Sequence, residues 1–566
     1  MAYYSNTNPD LLARIPLSAR HLLEIGCGTG GLAQAYLARN PAARYVGVEL
    51  FADAARQAVG IVHQVVVGDI EQAPVLAELD RVRAGEPFDV LIFGDVLEHL
   101  RDPWRVLAEL RARMTPDGVC VACIPNVAHW SVLQQQLRGR WDYADAGLLD
   151  RTHLRFFTVD TMAELFTKSG WSVLDAKPRV LWPAKTEAAL KAFAPLAGTL
   201  GIPPDKLRRD LAAFQWVIRA VNGPAPAVVH IAALGLKKFA GVTEARVDHP
   251  LTALSASPSV RTQWGEGGMS VPRDWPPGVF ILHRQFMNDP DFNARVERMI
   301  ERGWVMVADM DDDPRRWKEF VANDFRAYRG VHAVTVSTEP LAEMIRQWNP
   351  NVQVFPNAIP ALPQVAPATP KQGARLRVFF GALNRGKDWA AVHAGILDAA
   401  RQLGDRVEWV VVHDRAIFDT LPAEVPKEFH PTLPHDRYMR VLATCDVALL
   451  PLSDTPFNRL KSDLKFIECC AAGVVPICSP VMYAERAEHG EIGLFAATSD
   501  DWRQGLLSLC GDLPDIARRR ALGLDYVKRE RMLSGQTVER EAYYRGLLAR
   551  RTELERQRRA RLAPLA

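Results

Sequence analysis

Short apolar runs alternate with stretches of helical spacing along most of the chain. The first series of runs falls at residues 22–25, 45–48, 65–67, 88–93 and 119–124, with helical patterns between them such as Leu32, Ala33, Ala35, Tyr36 and Leu37. Buried strands separated by amphipathic helices build a doubly wound sheet, and a late run at 214–221 is expected to close it. A second series follows at 228–232, 278–282, 304–308, 333–336 and 352–355. The third holds strands at 376–380, 408–412, 447–450 and 475–478, with helices expected over 388–402, 438–444 and 463–472. The pattern predicts an α/β chain: one Rossmann-like domain, then two further Rossmann-like halves.

The punctuation between series is proline. Gly223-Pro224-Ala225-Pro226 favours an extended spacer, and a second proline-rich connector spans 360–370. Domains are therefore expected at 1–222, 227–360 and 371–545, with 223–226 as linker and 546–566 as a basic helical tail. The chain has 566 residues, enough for several folding units. Its 69 Lys plus Arg nearly balance 66 Asp plus Glu, so no global basic field argues for a nucleic-acid partner. No secretory signal opens the sequence and no apolar run is long enough to span a bilayer, so a cytoplasmic location is expected. The eight cysteines mostly sit inside apolar runs, as small core residues in a reducing compartment do.

Chemistry concentrates where the runs end. The first stops at Gly26, Gly28 and Gly30, where the backbone must turn sharply and a ligand can lie against peptide groups with no Cβ between. An acid, Glu24, lies inside that run. The next three runs are followed by Glu49, Asp69 and Asp95, an acidic rim at the carboxyl edge of a parallel sheet. Such a rim repels a pyrophosphate and holds a sulfonium. With Glu24 to Gly30, Val48-Glu49, Gly68-Asp69 and the string from Gly94 to Leu100 together, residues 1 to about 222 resemble a class I S-adenosylmethionine-dependent methyltransferase. The resemblance implies S-adenosylmethionine as cofactor, bound by Glu24, Gly26, Gly28, Gly30, Glu49, Asp69 and Asp95.

Beyond the fifth strand, residues 125–158 are polar, aromatic and helix-poor, and are expected to cover the mouth of the site. Gly147-Leu-Leu-Asp150-Arg151-Thr152-His153-Leu-Arg-Phe-Phe-Thr158 is similar to a methyltransferase subgroup found beside glycan-assembly enzymes. His153 is the first candidate for a general base, with Asp150 and His99 behind it. These groups equally suit pinning the loop by mutual hydrogen bonds.

The last third carries a second resemblance. Phe355-Pro-Asn357, Phe380-Gly381 through Lys387, Asp446 to Pro451 and Lys461 to Pro476 are similar to nucleotide-sugar-dependent glycosyltransferases of the two-Rossmann GT-B architecture. Gly381, Arg385, Lys387, Lys461, Lys465 and Glu468 are then expected to bind a nucleotide-sugar, the cations meeting its diphosphate and Glu468 its ribose. Two positions depart from that family: Ala382 replaces an arginine and Leu460 a glutamate. His283 and Arg284 follow the expected strand at 279–282 and either face the acceptor or lie on the surface. Asp309, Asp311, Asp312 and Asp313 read as capping and solvated acids, and no metal is expected.

These features imply a bifunctional transferase that methylates a glycan or sugar acceptor and adds a sugar from a nucleotide-sugar, on a glycan or lipid-linked glycan. The basic tail leaves a peripheral contact with the inner membrane open. The other reading is an active methyltransferase carrying a GT-B-like glycan-binding scaffold.

Overall fold

The computed structural model describes residues 7–235, 241–268, 271–363, 375–381 and 383–563. Ala382 and much of the 360–370 connector lie outside them. The chain divides into two compact units. Unit 1 holds residues up to Val228 together with Ser255–Val260, and unit 2 holds Val229–Leu254 and Arg261 onward.

Unit 1 contains β1 (His21–Ile25), β2 (Arg44–Glu49), β3 (Gln64–Val67), β4 (Phe88–Gly94), β5 (Met114–Pro125), β6 (Ser172–Arg179) and β7 (Gln215–Val221). Their order is β3-β2-β1-β4-β5-β7-β6. The first five strands pair in parallel, and β7 lies antiparallel between β5 and β6. The late strand therefore sits inside the sheet, and β6 forms its edge. The apolar pattern did not mark β6 because Asp175, Lys177, Pro178 and Arg179 interrupt it, as edge strands permit. Two apolar layers cover the sheet, one built on Leu91, Phe93 and Phe166 and the other on Tyr36, Tyr45 and Ile92. The segment expected to be helix-poor contains one helix, Trp130–Leu137, with His129 as its N-cap.

Unit 2 carries two sheets. One holds β8 (Val229–Gly235), β9 (Val260–Glu266), β10 (Val279–His283), β11 (Val305–Met310), β12 (Ala333–Val336) and β13 (Val352–Val354) in the order β13-β12-β11-β10-β8-β9. The other holds β14 (Leu376–Gly381), β15 (Val407–Val412), β16 (Lys427–His430), β17 (Val447–Leu450), β18 (Val475–Cys478) and β19 (Leu494–Phe495), ordered β16-β15-β14-β17-β18-β19. Both are Rossmann-like sheets, as a GT-B-like pair requires. The helix expected over 388–402 is two helices, Gly386–Ala390 and His393–Leu403, broken where Trp389 and Val392 both turn into the core.

The tail forms a helix, Arg551–Leu562, that packs within unit 2. Arg558 is buried against Glu297 at 2.7 Å, and Arg561 donates to the Val331 carbonyl at 2.7 Å. Among the described residues no helix is long and apolar enough to cross a membrane.

Candidate functional site

In unit 1 the glycine turn after β1 has positive φ at Gly26, Gly28 and Gly30, a conformation that side chains resist. Its Gly28 N–H donates to Glu49 Oε2 at 2.8 Å, while Glu49 Oε1 accepts from Phe51 N at 2.9 Å. Strand β2 thus delivers Glu49 to the turn as an oriented carboxylate. Asp69 follows β3 and accepts from Glu71 N at 2.9 Å. Asp95 follows β4 in a left-handed conformation and takes a hydrogen bond from the Gln215 amide. Burial pushes its carboxyl up to about 6, against the pull of Arg179. Parallel pairing in the order β3-β2-β1-β4 sets these three acids around the end of β1. Glu24 differs. It lies within β1, buried, with the Tyr45 hydroxyl donating to it at 2.9 Å, and burial pushes it up to about 8. It lies within the strand and not on the rim.

A second group gathers beside Asp95. The turn Leu97–His99 presents Glu98, only 1 % exposed. Both its carboxyl oxygens lack a hydrogen-bond partner among the described residues. Burial, and then the charge on Asp95, push this acid well above the usual carboxylate range. The Glu98 carbonyl accepts from Leu154 N and Arg155 N at 2.8 and 2.9 Å, which ties the mouth segment to this turn.

The same segment brings His153 to His99, with ring centroids 4.8 Å apart. His153 Nδ1 faces the Leu148 carbonyl at 3.3 Å, so Nδ1 carries the proton and Nε2 is free to accept. Burial, then His99, hold its pKa below the ordinary histidine value. Asp150 accepts from Thr152 N at 2.8 Å and Thr152 Oγ1 at 2.7 Å. Burial works to raise Asp150, but those donors and the two histidines outweigh it and keep the carboxylate ionised. Asp150 is therefore an anchor of the loop, which places His153. Ligand atoms of Glu98, His99 and His153 all lie within 4.8 Å of one another, a donor set that suits a divalent cation by type. Glu98 was not singled out in the sequence. Its signal was an acid three residues after Asp95, inside an otherwise apolar turn.

Of the expected nucleotide-sugar residues of unit 2, Gly381 ends a strand, Arg385 and Lys387 lie at the start of helix Gly386–Ala390, Lys461 follows a short turn, and Lys465 and Glu468 lie in helix Leu464–Ala471. Gly381 ends β14 and its carbonyl accepts from the Tyr438 hydroxyl at 2.9 Å. Arg385 pairs with Asp388 at 3.0 Å, Lys461 with Asp312 at 3.5 Å and Lys465 with Glu468 at 3.0 Å. Glu468 also meets His435 Nε2 at 2.8 Å. Burial would raise Glu468, but Lys465 and His435 hold it down near about 2. Lys387 is exposed. A cavity of about 830 Å³ opens where the strand order reverses between β14 and β17, lined by Asp388, Leu452, Ser453, Ser479 and Glu485 among others. Leu460 contributes its carbonyl to Thr338 Oγ1 at 2.9 Å. The acids after β11 are mutually engaged: Asp311 with Arg284, Asp312 with Lys461 and Asp313 with Arg315.

An acidic rim around a glycine turn at the carboxyl edge of a seven-stranded sheet defines unit 1 as a methyltransferase of the S-adenosylmethionine-dependent class. Residues 2–176 match the family described as Methyltransferase domain, and the chain belongs to that family through this segment. Ubiquinone biosynthesis O-methyltransferase of Cereibacter sphaeroides is 31% identical over 179 residues, 31% of this chain and 69% of that protein. The protein of that name from Ruegeria pomeroyi is 29% identical, covering 31% of this chain and 68% of its own length. Trans-aconitate 2-methyltransferase of Azoarcus sp. is 32% identical over 21% of this chain and 44% of that protein.

Proposed function

We propose that unit 1 methylates a hydroxyl of a sugar or glycan acceptor. The observation that supports this most is the gathering of Glu98, His99, Asp150 and His153 beside the Asp95 end of the cofactor rim. Bound S-adenosylmethionine supplies an electrophilic methyl group and a good leaving sulfide. Glu49 and the Gly26–Gly30 turn bind and orient it; His153 Nε2 takes the acceptor proton as the oxygen attacks; Asp150, through Thr152, fixes the loop that presents His153. Relatives named as O-methyltransferases agree with oxygen as the attacked atom.

Unit 2, in this reading, transfers a sugar from a nucleotide-sugar onto the same glycan or lipid-linked glycan. Its two Rossmann-like sheets and the cavity at the β14–β17 reversal support that role. The scaffold reading has its own support, because Arg385, Lys461 and Lys465 already face carboxylates. One experiment separates them: the full chain is incubated with labelled S-adenosylmethionine, a panel of oligosaccharides and a panel of nucleotide-sugars. A mass gain of one methyl supports unit 1, and consumption of a nucleotide-sugar supports glycosyl transfer. Methyl transfer with every nucleotide-sugar left intact selects the scaffold.

A further inference from the structure

The mouth segment of unit 1 holds an aromatic side chain that neither the core nor the cofactor rim accounts for. Trp141 is 37% exposed, and Tyr143 and Leu154 of the same segment are 57% and 52% exposed. The backbone around Trp141 is nevertheless pinned. Arg140 N donates to the Gln135 carbonyl at 3.0 Å and Asp142 N to Gln135 Oε1 at 3.3 Å, so both neighbours of Trp141 are tied to the helix Trp130–Leu137. The Arg140 guanidinium grips Asp142 through Nε at 2.6 Å and Nη2 at 2.9 Å. A large ring left partly in water forgoes the stabilisation of burial, and one whose backbone is already fixed costs little further ordering when a ligand meets it.

Ring contacts lead from this tryptophan to the base proposed above. Trp141 meets Phe156 edge-on, with centroids 5.4 Å apart and planes at 77°, and Phe156 meets His153 at 6.2 Å. Phe156 itself packs against Val132, Leu148 and Leu149. A single ring therefore separates Trp141 from His153. Trp104 is exposed to the same extent but is already covered, because the Arg155 guanidinium lies 5.8 Å from its centroid. Charge narrows the ligand of Trp141. Residues 138–151 hold three arginines against three aspartates, so the segment offers no basic field to an anionic lipid surface. An aromatic ring beside a paired guanidinium and carboxylate suits a neutral ligand with C–H faces and hydroxyl edges, which describes a pyranose.

We propose that Trp141 is a stacking platform for the sugar unit next to the one that is methylated, so that unit 1 selects an oligosaccharide over a monosaccharide. The inference rests on the sugar-acceptor reading of unit 1 and adds the length of the acceptor and the residue that senses it. The unit at His153 gives up its hydroxyl proton, and its neighbour lies across Phe156 against the indole. Trp141 is a positioning residue: it touches no reacting atom, and its contact with a remote part of the acceptor holds the attacking oxygen in line with the methyl group. Binding energy from such a remote part appears in turnover as well as in affinity, so an acceptor too short to reach the indole loses both.

The test uses the full chain, S-adenosylmethionine, and glucose, galactose and mannose each offered as mono-, di- and trisaccharide, with 3,4-dihydroxybenzoate as a non-sugar acceptor. The readout is the ratio of kcat/KM for the trisaccharide to that for the monosaccharide. The wild type is expected to favour the longer acceptor by about three- to tenfold, Trp141→Ala to bring the ratio to about one, and Trp141→Phe to give a value between them. A residue that only supports the fold would lower both rates together and leave the ratio where it was. A wild-type ratio of about one, or a Trp141→Ala variant that keeps the wild-type ratio, overturns the assignment. So does sedimentation with phosphatidylglycerol vesicles by the wild type and not by Trp141→Ala, which would give the tryptophan to a membrane surface. If the dihydroxybenzoate is methylated and every saccharide is left intact, the sugar-acceptor reading falls and takes this one with it. The length series on the unmodified chain decides the matter even if the variants do not fold.

Discussion

The two units treat charge around their sheets in opposite ways. In unit 1, Glu49, Asp69 and Asp95 are met by backbone or amide donors, and Glu98 by none among the described residues. In unit 2, Arg385, Lys461, Lys465 and Arg246 each face a carboxylate. A buried acid without a cation is costly and persists where a ligand compensates it, whereas a buried ion pair is already compensated. Unit 1 is thus built to receive positive charge. Unit 2 is close to neutral at its own edges, and an anionic donor there competes with acids already in place.

If the unit 1 cluster is chemical, His153→Gln lowers methyl-transfer turnover by about a hundredfold to ten-thousandfold. S-adenosylmethionine affinity stays within about threefold, as equilibrium dialysis would read. An equal loss of both would make His153 a structural residue. Breaking a unit 2 pair acts on stability. Asp309→Ala leaves Arg246 buried and unpaired, and destabilises unit 2 by about 3–5 kcal/mol in urea unfolding. A cost below about 1 kcal/mol would mean that the pair is solvated.

Acidity separates the units with opposite sign. Glu24 and Asp95 have folded pKa values of about 8 and about 6, above their unfolded values, so unit 1 gains stability as pH falls from 8 toward 5. Glu468 is depressed to about 2 from 4.5, so its contribution is complete above 4.5 and is lost as pH falls from there toward 2. Scanning calorimetry across pH should show the unit 1 transition rising while the unit 2 transition holds, then falls. Parallel shifts would remove the contrast. The smallest effect belongs to metal removal: with His153 as base, EDTA changes methyl transfer by less than about twofold. Loss of activity restored by Mg²⁺ or Mn²⁺ would assign a cation to Glu98, His99 and His153.

Local signals carried much of this into the sequence. An apolar run and the residue that ends it are neighbours in the chain, so Glu49, Asp69 and Asp95 could be placed on one edge from spacing alone. Edge strands were harder: β6 and β9 mix polar residues into a half-covered surface, which hides them from a burial pattern. The pairs were out of reach. Lys461 meets Asp312, and Arg246 meets Asp309, across contacts that only packing creates. The cations of unit 2 were therefore legible as charge and not as charge already matched. Glu98 was legible as an acid, but its isolation depends on the mouth segment folding over it.

The most direct test of the uncompensated rim is a titration of S-adenosylmethionine into the full chain and into its Glu49→Gln variant. Binding by the wild type, weakened about tenfold by loss of that one charge with the melting point unchanged, is the predicted result. Equal affinity of the two proteins, or no binding by folded wild type, would contradict it.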